Sequence, residues 1–65
     1  MTTKQLVKRL ARYMRTADKS ARDVQRATRI NPTSLYEWFL GQSTPGARNV
    51  AKIERYLARR GALAA

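Results

Sequence analysis

SARDVQRATRINPTSLYEWFLG, running from Ser20 to Gly41, is the stretch whose reading decides the fold. Ser20 is a natural N-cap. Asp23, three residues on, gives the spacing of a capping box, in which each side chain satisfies the other residue's backbone N–H. A helix from Arg22 to Thr28 should follow, with Val24 and Ala27 facing inward. A second start signal arrives almost at once, because Asn31 can cap and Pro32 falls at the first helical position, where its missing N–H costs nothing. Ile30 before that cap and Leu35 at the fourth helical position have the spacing of a hydrophobic staple, which fixes how the chain enters the helix. Gly41 ends it as a residue free to take positive φ. The stretch reads as a helix-turn-helix.

The second helix of the pair separates into two faces. Leu35, Trp38 and Phe39 fall at i, i+3, i+4 and should bury, with Val24 and Ile30 across the turn. Thr33, Tyr36, Glu37 and Leu40 share a different face, with Ser34 beside them. Glu37 is the informative member of that face. Phosphate repels a carboxylate, so on a helix facing DNA it should read a base edge, such as the N4 donor of cytosine, or hold an arginine.

Outward from this pair the pattern stays helical. Towards the N-terminus, Thr2 and Gln5 form a second capping-box pattern and open a helix to about Met14 or Arg15. Leu6, Leu10 and Met14 make its inward stripe, flanked by Val7 and Tyr13, while Lys4, Lys8, Arg9, Arg12 and Arg15 cover the rest. Thr16 to Lys19 is a short polar connection. Towards the C-terminus, Gln42 to Thr44 is a polar loop, with Thr44 as the expected cap and Pro45 at a helix start. Val50, Ile53 and Leu57 then repeat at helical spacing with Tyr56 bordering them. Arg59 and Arg60 suit the last turn, and Gly61 stops the helix. These elements predict an all-α fold, a small bundle of about four helices containing a helix-turn-helix, with residues 1–65 as one domain.

The charge balance narrows the partner. The chain of 65 residues carries fourteen Lys and Arg against four acids, for a net charge of +10. Such a field attracts polyanions, and nucleic acid is the commonest one inside a cell. There is no cysteine and no histidine. That excludes disulfides and thiolate metal sites, and leaves no nucleophile–base pair or metal cluster for an enzyme. No metal, cofactor or catalytic residue is expected. No apolar run approaches a membrane span or a signal peptide, so the expected place is the cytoplasm, in association with the nucleoid.

The same stretch resembles the Cro/C1 (lambda-repressor-like) helix-turn-helix family over roughly Lys19 to Leu57. The resemblance is carried by Ser20 before the first helix, Val24, Ile30, Leu35 and Trp38 at apolar positions, Gly41, Pro45 and the final apolar helix. There are three departures from the family's pattern: Gln25 where it usually has a small residue, Thr28 where it has a large aliphatic, and Arg29 where it has a turn glycine. At positive φ, Arg29 would cost about 1 kcal/mol relative to glycine.

The resemblance implies a function and a set of contacts. In helix-turn-helix proteins the second helix lies in the DNA major groove and the first crosses the backbone. By position, Thr33, Ser34, Tyr36 and Glu37 would be the base-facing residues. Arg22, Gln42, Ser43, Thr44, Arg48, Asn49 and Lys52 would contact phosphate, with the free N–H groups after Thr44 adding a helix-end contact. The implied function is a sequence-specific transcriptional regulator, a repressor or autoregulator of the phage or mobile-element kind, acting on double-stranded DNA. Proteins of that family commonly bind inverted repeats as homodimers, so the resemblance implies a homodimer. Tyr56 with the Arg60–Ala65 tail, Leu63 included, is the favoured dimer surface, and the outer side of the first helix is the other. An antitoxin of the same fold, an accessory recombination factor, and a non-specific nucleoid or RNA-binding protein remain as alternatives.

Overall fold

The first helix, α1 (Thr3–Thr16), starts from a closed capping box. The Thr2 hydroxyl accepts the Gln5 N–H at 3.1 Å, and Gln5 Oε1 accepts the Thr2 N–H at 2.9 Å. The helix buries Leu6, Val7 and Leu10, with Tyr13 and Met14 half-buried behind them. It ends at Asp18, which takes a left-handed φ of 56°. The Lys19 N–H then closes back on the Met14 carbonyl at 2.8 Å. Aspartate tolerates that conformation better than most residues. In the computed structural model the chain is described over residues 1–62.

The second helix, α2 (Ala21–Thr28), repeats the device at Ser20. Its hydroxyl accepts the Asp23 N–H at 3.2 Å, and Asp23 Oδ2 accepts the Ser20 N–H at 3.0 Å. Val24 is fully buried, with Ala21 and a half-buried Thr28 on the same side. The expected inward position of Ala27 is a correction: it is exposed. The stripe centres on residues 21, 24 and 28, and Ala27 lies about 90° round the helix from that centre.

The turn that follows accommodates Thr28 and Arg29, two of the three departures from the resembled family's usual pattern. Arg29 adopts φ 63°, ψ 20°, so the left-handed turn forms without glycine, and its N–H reaches the Gln25 carbonyl at 2.6 Å. This single bond from the left-handed residue back to the carbonyl four before it is the simpler helix-stop motif. Thr28 donates its hydroxyl to the Val24 carbonyl at 2.7 Å and accepts the Ile30 N–H at 3.2 Å. A hydroxyl bonded at both ends can be half-buried where an aliphatic would otherwise sit.

The third helix, α3 (Pro32–Phe39), begins as expected, with Asn31 Oδ1 accepting the Thr33 N–H at 2.9 Å and Pro32 in the first turn. Ile30 and Leu35 are both buried. At its far end Gly41 takes φ 75°. Its N–H bonds the Trp38 carbonyl at 3.1 Å, and the Gln42 N–H bonds that of Glu37 at 2.9 Å. These two bonds form a Schellman motif.

The fourth helix, α4 (Ala47–Arg59), differs from expectation at its start. Thr44 is not the cap and Pro45 is not the first helical residue. Gly46 is the N-cap, with no side-chain cap bond, and Pro45 is buried one residue ahead of it. Pro45 and the half-buried Val50 then stand at staple spacing, so the ring serves as an apolar anchor. Ile53 and Leu57 are fully buried. Tyr56 is also a correction: it does not border the core but belongs to it, at 5% exposure. Its ring meets Tyr13 edge-on, centroids 5.8 Å apart. The Arg60 guanidinium lies over the Tyr56 ring, 3.7 Å from its centre, and donates to the Tyr56 carbonyl at 3.1 Å. A second Schellman closure at Gly61, φ 67°, ends the helix.

Among the described residues the fold is thus an all-α bundle of four helices around one core. α1 packs on α3 and α4, and α2 packs on the same two. α3 and α4 therefore stand at opposite corners, with α1 and α2 between them. Among the described residues no helix is long and apolar enough to cross a membrane.

Candidate nucleic-acid interface

α3 is held by its apolar side and open on the other. Leu35 is fully buried, Trp38 is 7% exposed and Phe39 is half-buried, so the helix cannot rotate without uncovering them. The opposite face carries Thr33, Tyr36, Glu37 and Leu40, all exposed, with Tyr36 at 56% and Leu40 at 71%. Ser34 is half-buried and contributes only an edge to this face. Glu37 makes no hydrogen bond or ion pair through its side chain among the described residues. Its carboxylate is not engaged by an arginine, and it points with Tyr36 away from the core. Short polar side chains near the first turn, one aromatic and one acid can donate, accept and stack together.

The residues assigned to phosphate divide into separate groups. Arg22 is exposed in the first turn of α2. Gln42 is exposed just after α3, where its N–H is already committed to the Glu37 carbonyl. Ser43 and Thr44 line a groove between α1 and the end of α3, together with Lys4, Lys8 and Leu40. Arg48 is exposed and Asn49 half-buried in the first turn of α4. With Gly46 as the cap, no side chain occupies the free N–H groups of that turn, so the helix-end donors lie beyond Thr44, from Ala47 onward. Lys52, one turn on from Arg48, lines a cleft between α2 and α4 with Arg29, Arg55, Arg59 and Arg60.

No family model, curated protein or solved structure matches the chain.

Two sets of cations escaped the sequence-based assignment. Lys4 and Lys8 adjoin Ser43 and Thr44, a juxtaposition set by the packing of α1 on α3 that no local spacing reveals. The cations around Lys52 had a signal. Arg48, Lys52, Arg55 and Arg59 follow i, i+4, i+7, i+11, which places them on one stripe of α4. The proposed dimer surface loses one of its members, because Tyr56 is covered by Tyr13 and Arg60. Leu63 lies outside the described residues. The outer side of α1 carries exposed Lys4, Lys8, Arg12 and Arg15, and like charge opposes self-association across it.

Proposed function

We propose that the chain is a sequence-specific DNA-binding regulator that presents α3 to the major groove. The observation that carries this reading is the exposed Thr33–Tyr36–Glu37 face, held in one orientation by buried Leu35 and Trp38 on a chain of net charge +10. Arg22 would hold phosphate on one side of α3. Ser43, Thr44, Lys4 and Lys8 would hold it on the other, and Arg48 with the open first turn of α4 would add a further anchor. The resemblance to the Cro/C1 family supports the same use of α3. On this reading two copies occupy an inverted repeat and act as a repressor or autoregulator.

The test starts with selection of preferred sites from random duplexes, followed by titration of two variants. Glu37→Ala should relax preference at one base pair, by about 1–3 kcal/mol, while leaving binding to random duplex equal or tighter. Arg22→Ala should weaken every duplex alike and lower the log–log salt slope by about one. Selection that yields no preferred sequence would sink the regulator reading and favour a generic polyanion binder. So would an equal loss on all duplexes with Glu37→Ala.

A further inference from the structure

The cleft between α2 and α4 shares only Lys52 with the phosphate contacts expected around α3, and its chemistry is unusual. Arg29, Lys52, Arg55, Arg59 and Arg60 line it, with Ala27, Thr28 and Tyr56. None of the four acids of the chain lines it, and none of these cations has an acidic partner among the described residues. Crowding like charges in one cleft opposes folding, so the arrangement makes sense with an anion present. Arg29 adds an independent observation. It lines this cleft from a left-handed backbone, φ 63°, that glycine would adopt without strain.

The packing order separates this cleft from α3. α2 lies between α3 and α4, so the α2–α4 cleft and the α1–α3 groove are on opposite sides of the bundle. A duplex lying along the exposed face of α3, held by Arg22, Ser43, Thr44, Lys4 and Lys8 and by Arg48 at the start of α4, leaves Arg55, Arg59 and Arg60, two to three turns further along α4, open. Lys52 to Arg59 spans about 10 Å of helix, the rise of about three nucleotides of one strand.

We infer that the α2–α4 cleft is a second nucleic-acid site, which grips the phosphate backbone of another duplex segment and lets one protein hold two segments together. The inference rests on α3 holding the first duplex. Nucleic acid fits better than an acidic protein because the cleft offers little apolar surface. Tyr56 is 5% exposed and Ala27 is small, whereas stable protein interfaces need a buried apolar centre. Arginine forks, by contrast, match phosphate oxygens without any apolar contact.

The experiment tethers a duplex carrying the selected site to beads, saturates it with the full chain, and adds a labelled duplex of random sequence. The wild type should retain the labelled duplex. Arg55→Ser combined with Arg59→Ser, both at exposed positions, should keep the helical circular-dichroism spectrum and hold the tethered duplex within about twofold. Retention of the labelled duplex should fall at least about tenfold, and its log–log salt slope by about two, at 0.9 per phosphate contact. Glu37→Ala should leave bridging intact. No second duplex on the wild type, with the tethered one still read through Glu37, overturns the inference while sparing the proposed function. Equal loss of both duplexes by the double variant means one continuous surface and overturns it too. Unchanged bridging by that variant would place the bridge between two α3 faces of a dimer. Tighter binding of poly-glutamate than of duplex at equal charge would give the cleft to an acidic protein.

Discussion

Arg29→Gly is the substitution on which stability and binding should move in opposite directions. Arg29 sits at φ 63°, ψ 20°, where a residue with a Cβ is disfavoured by about 1–2 kcal/mol. Glycine removes that strain but gains freedom in the unfolded chain, which takes back about 0.4–1 kcal/mol. The net gain should be about 0.5–1 kcal/mol, or a rise in Tm of about 2–8 °C for a domain this small. Removing one cation from beside Lys52, Arg55, Arg59 and Arg60 adds about 0.2 kcal/mol per neighbour at ~8 Å and physiological salt. The two contributions separate with salt. At 1 M, where the Debye length is about 3 Å, only the backbone gain should survive. Arg29→Ala keeps the strain and loses the charge, so any rise it shows should vanish at high salt. Thermal melts followed by circular dichroism at low and high salt make the comparison. A glycine variant that melts at or below the wild-type temperature in 1 M salt would refute the reasoning. The turn would then be relaxed, or the Arg29 stem would pack more than its exposure suggests.

Trp38→Ala should cost about 3–5 kcal/mol, since Trp38 is 7% exposed and anchors α3, and so abolish the helical spectrum; an unchanged melt would mean that the helix can sit rotated. The Asp23 carboxyl is held below its usual pKa, first by the Ser20 N–H and then by the Ser20 hydroxyl. A depressed folded pKa contributes stability above the unfolded value, near 3.9, that is lost as pH falls through the folded value. Asp23→Asn should therefore lose part of the acid sensitivity below about pH 4, and a melting profile against pH identical to wild type would discount the capping box as its source. Tyr56 runs the other way: burial raises its phenol pKa, with Arg60 opposing, so its contribution is present below about pH 10 and lost as pH rises further. Tyr56→Phe should flatten the alkaline limb of the melting profile, and an unaltered limb would assign it to the lysines.

Local rules made most of the helix ends legible. The Thr2 and Ser20 boxes, the Asn31–Pro32 start and the Gly41 and Gly61 stops each depend on residues within about five positions, so the pattern carries the geometry. Where a decision depended on distant packing, spacing ran out. Pro45 fits a helix start locally, yet burial of its ring moves the cap to Gly46. Tyr56 looked like a border residue because its cover comes from Tyr13, more than forty positions away, and from Arg60. The same limit applies to the candidate site. The α3 face was readable from helical phase alone, whereas the meeting of Lys4 and Lys8 with Ser43 and Thr44 needed the packing of α1 on α3.

The placement of the acids bears on how a chain this basic could prefer any sequence. Asp18 occupies the left-handed stop of α1 and Asp23 closes the box of α2, so both have structural reasons to be where they are. Glu37 and Glu54 are left on open helix faces, and only Glu37 shares its face with Thr33 and Tyr36. Cations lie on several sides of the bundle, so attraction to phosphate is nearly indifferent to orientation. Sequence preference then has to come from something that penalises wrong contacts. A carboxylate about 6 Å from a phosphate in water loses only about 0.7 kcal/mol, less still with salt. A carboxylate meeting a base edge discriminates by about 1–3 kcal/mol. The penalty falls on every duplex, while the discrimination favours those with a matching donor. Glu37 would therefore lower affinity slightly and raise selectivity more. Exchange of Glu37 for Gln is the sharpest check, because it keeps the length and an acceptor while removing the charge. Binding to random duplex should tighten up to about threefold, the equivalent of that 0.7 kcal/mol, while the preferred base pair shifts or blurs. Tightening on random duplex with the original preference intact would show that Glu37 modulates charge and reads nothing.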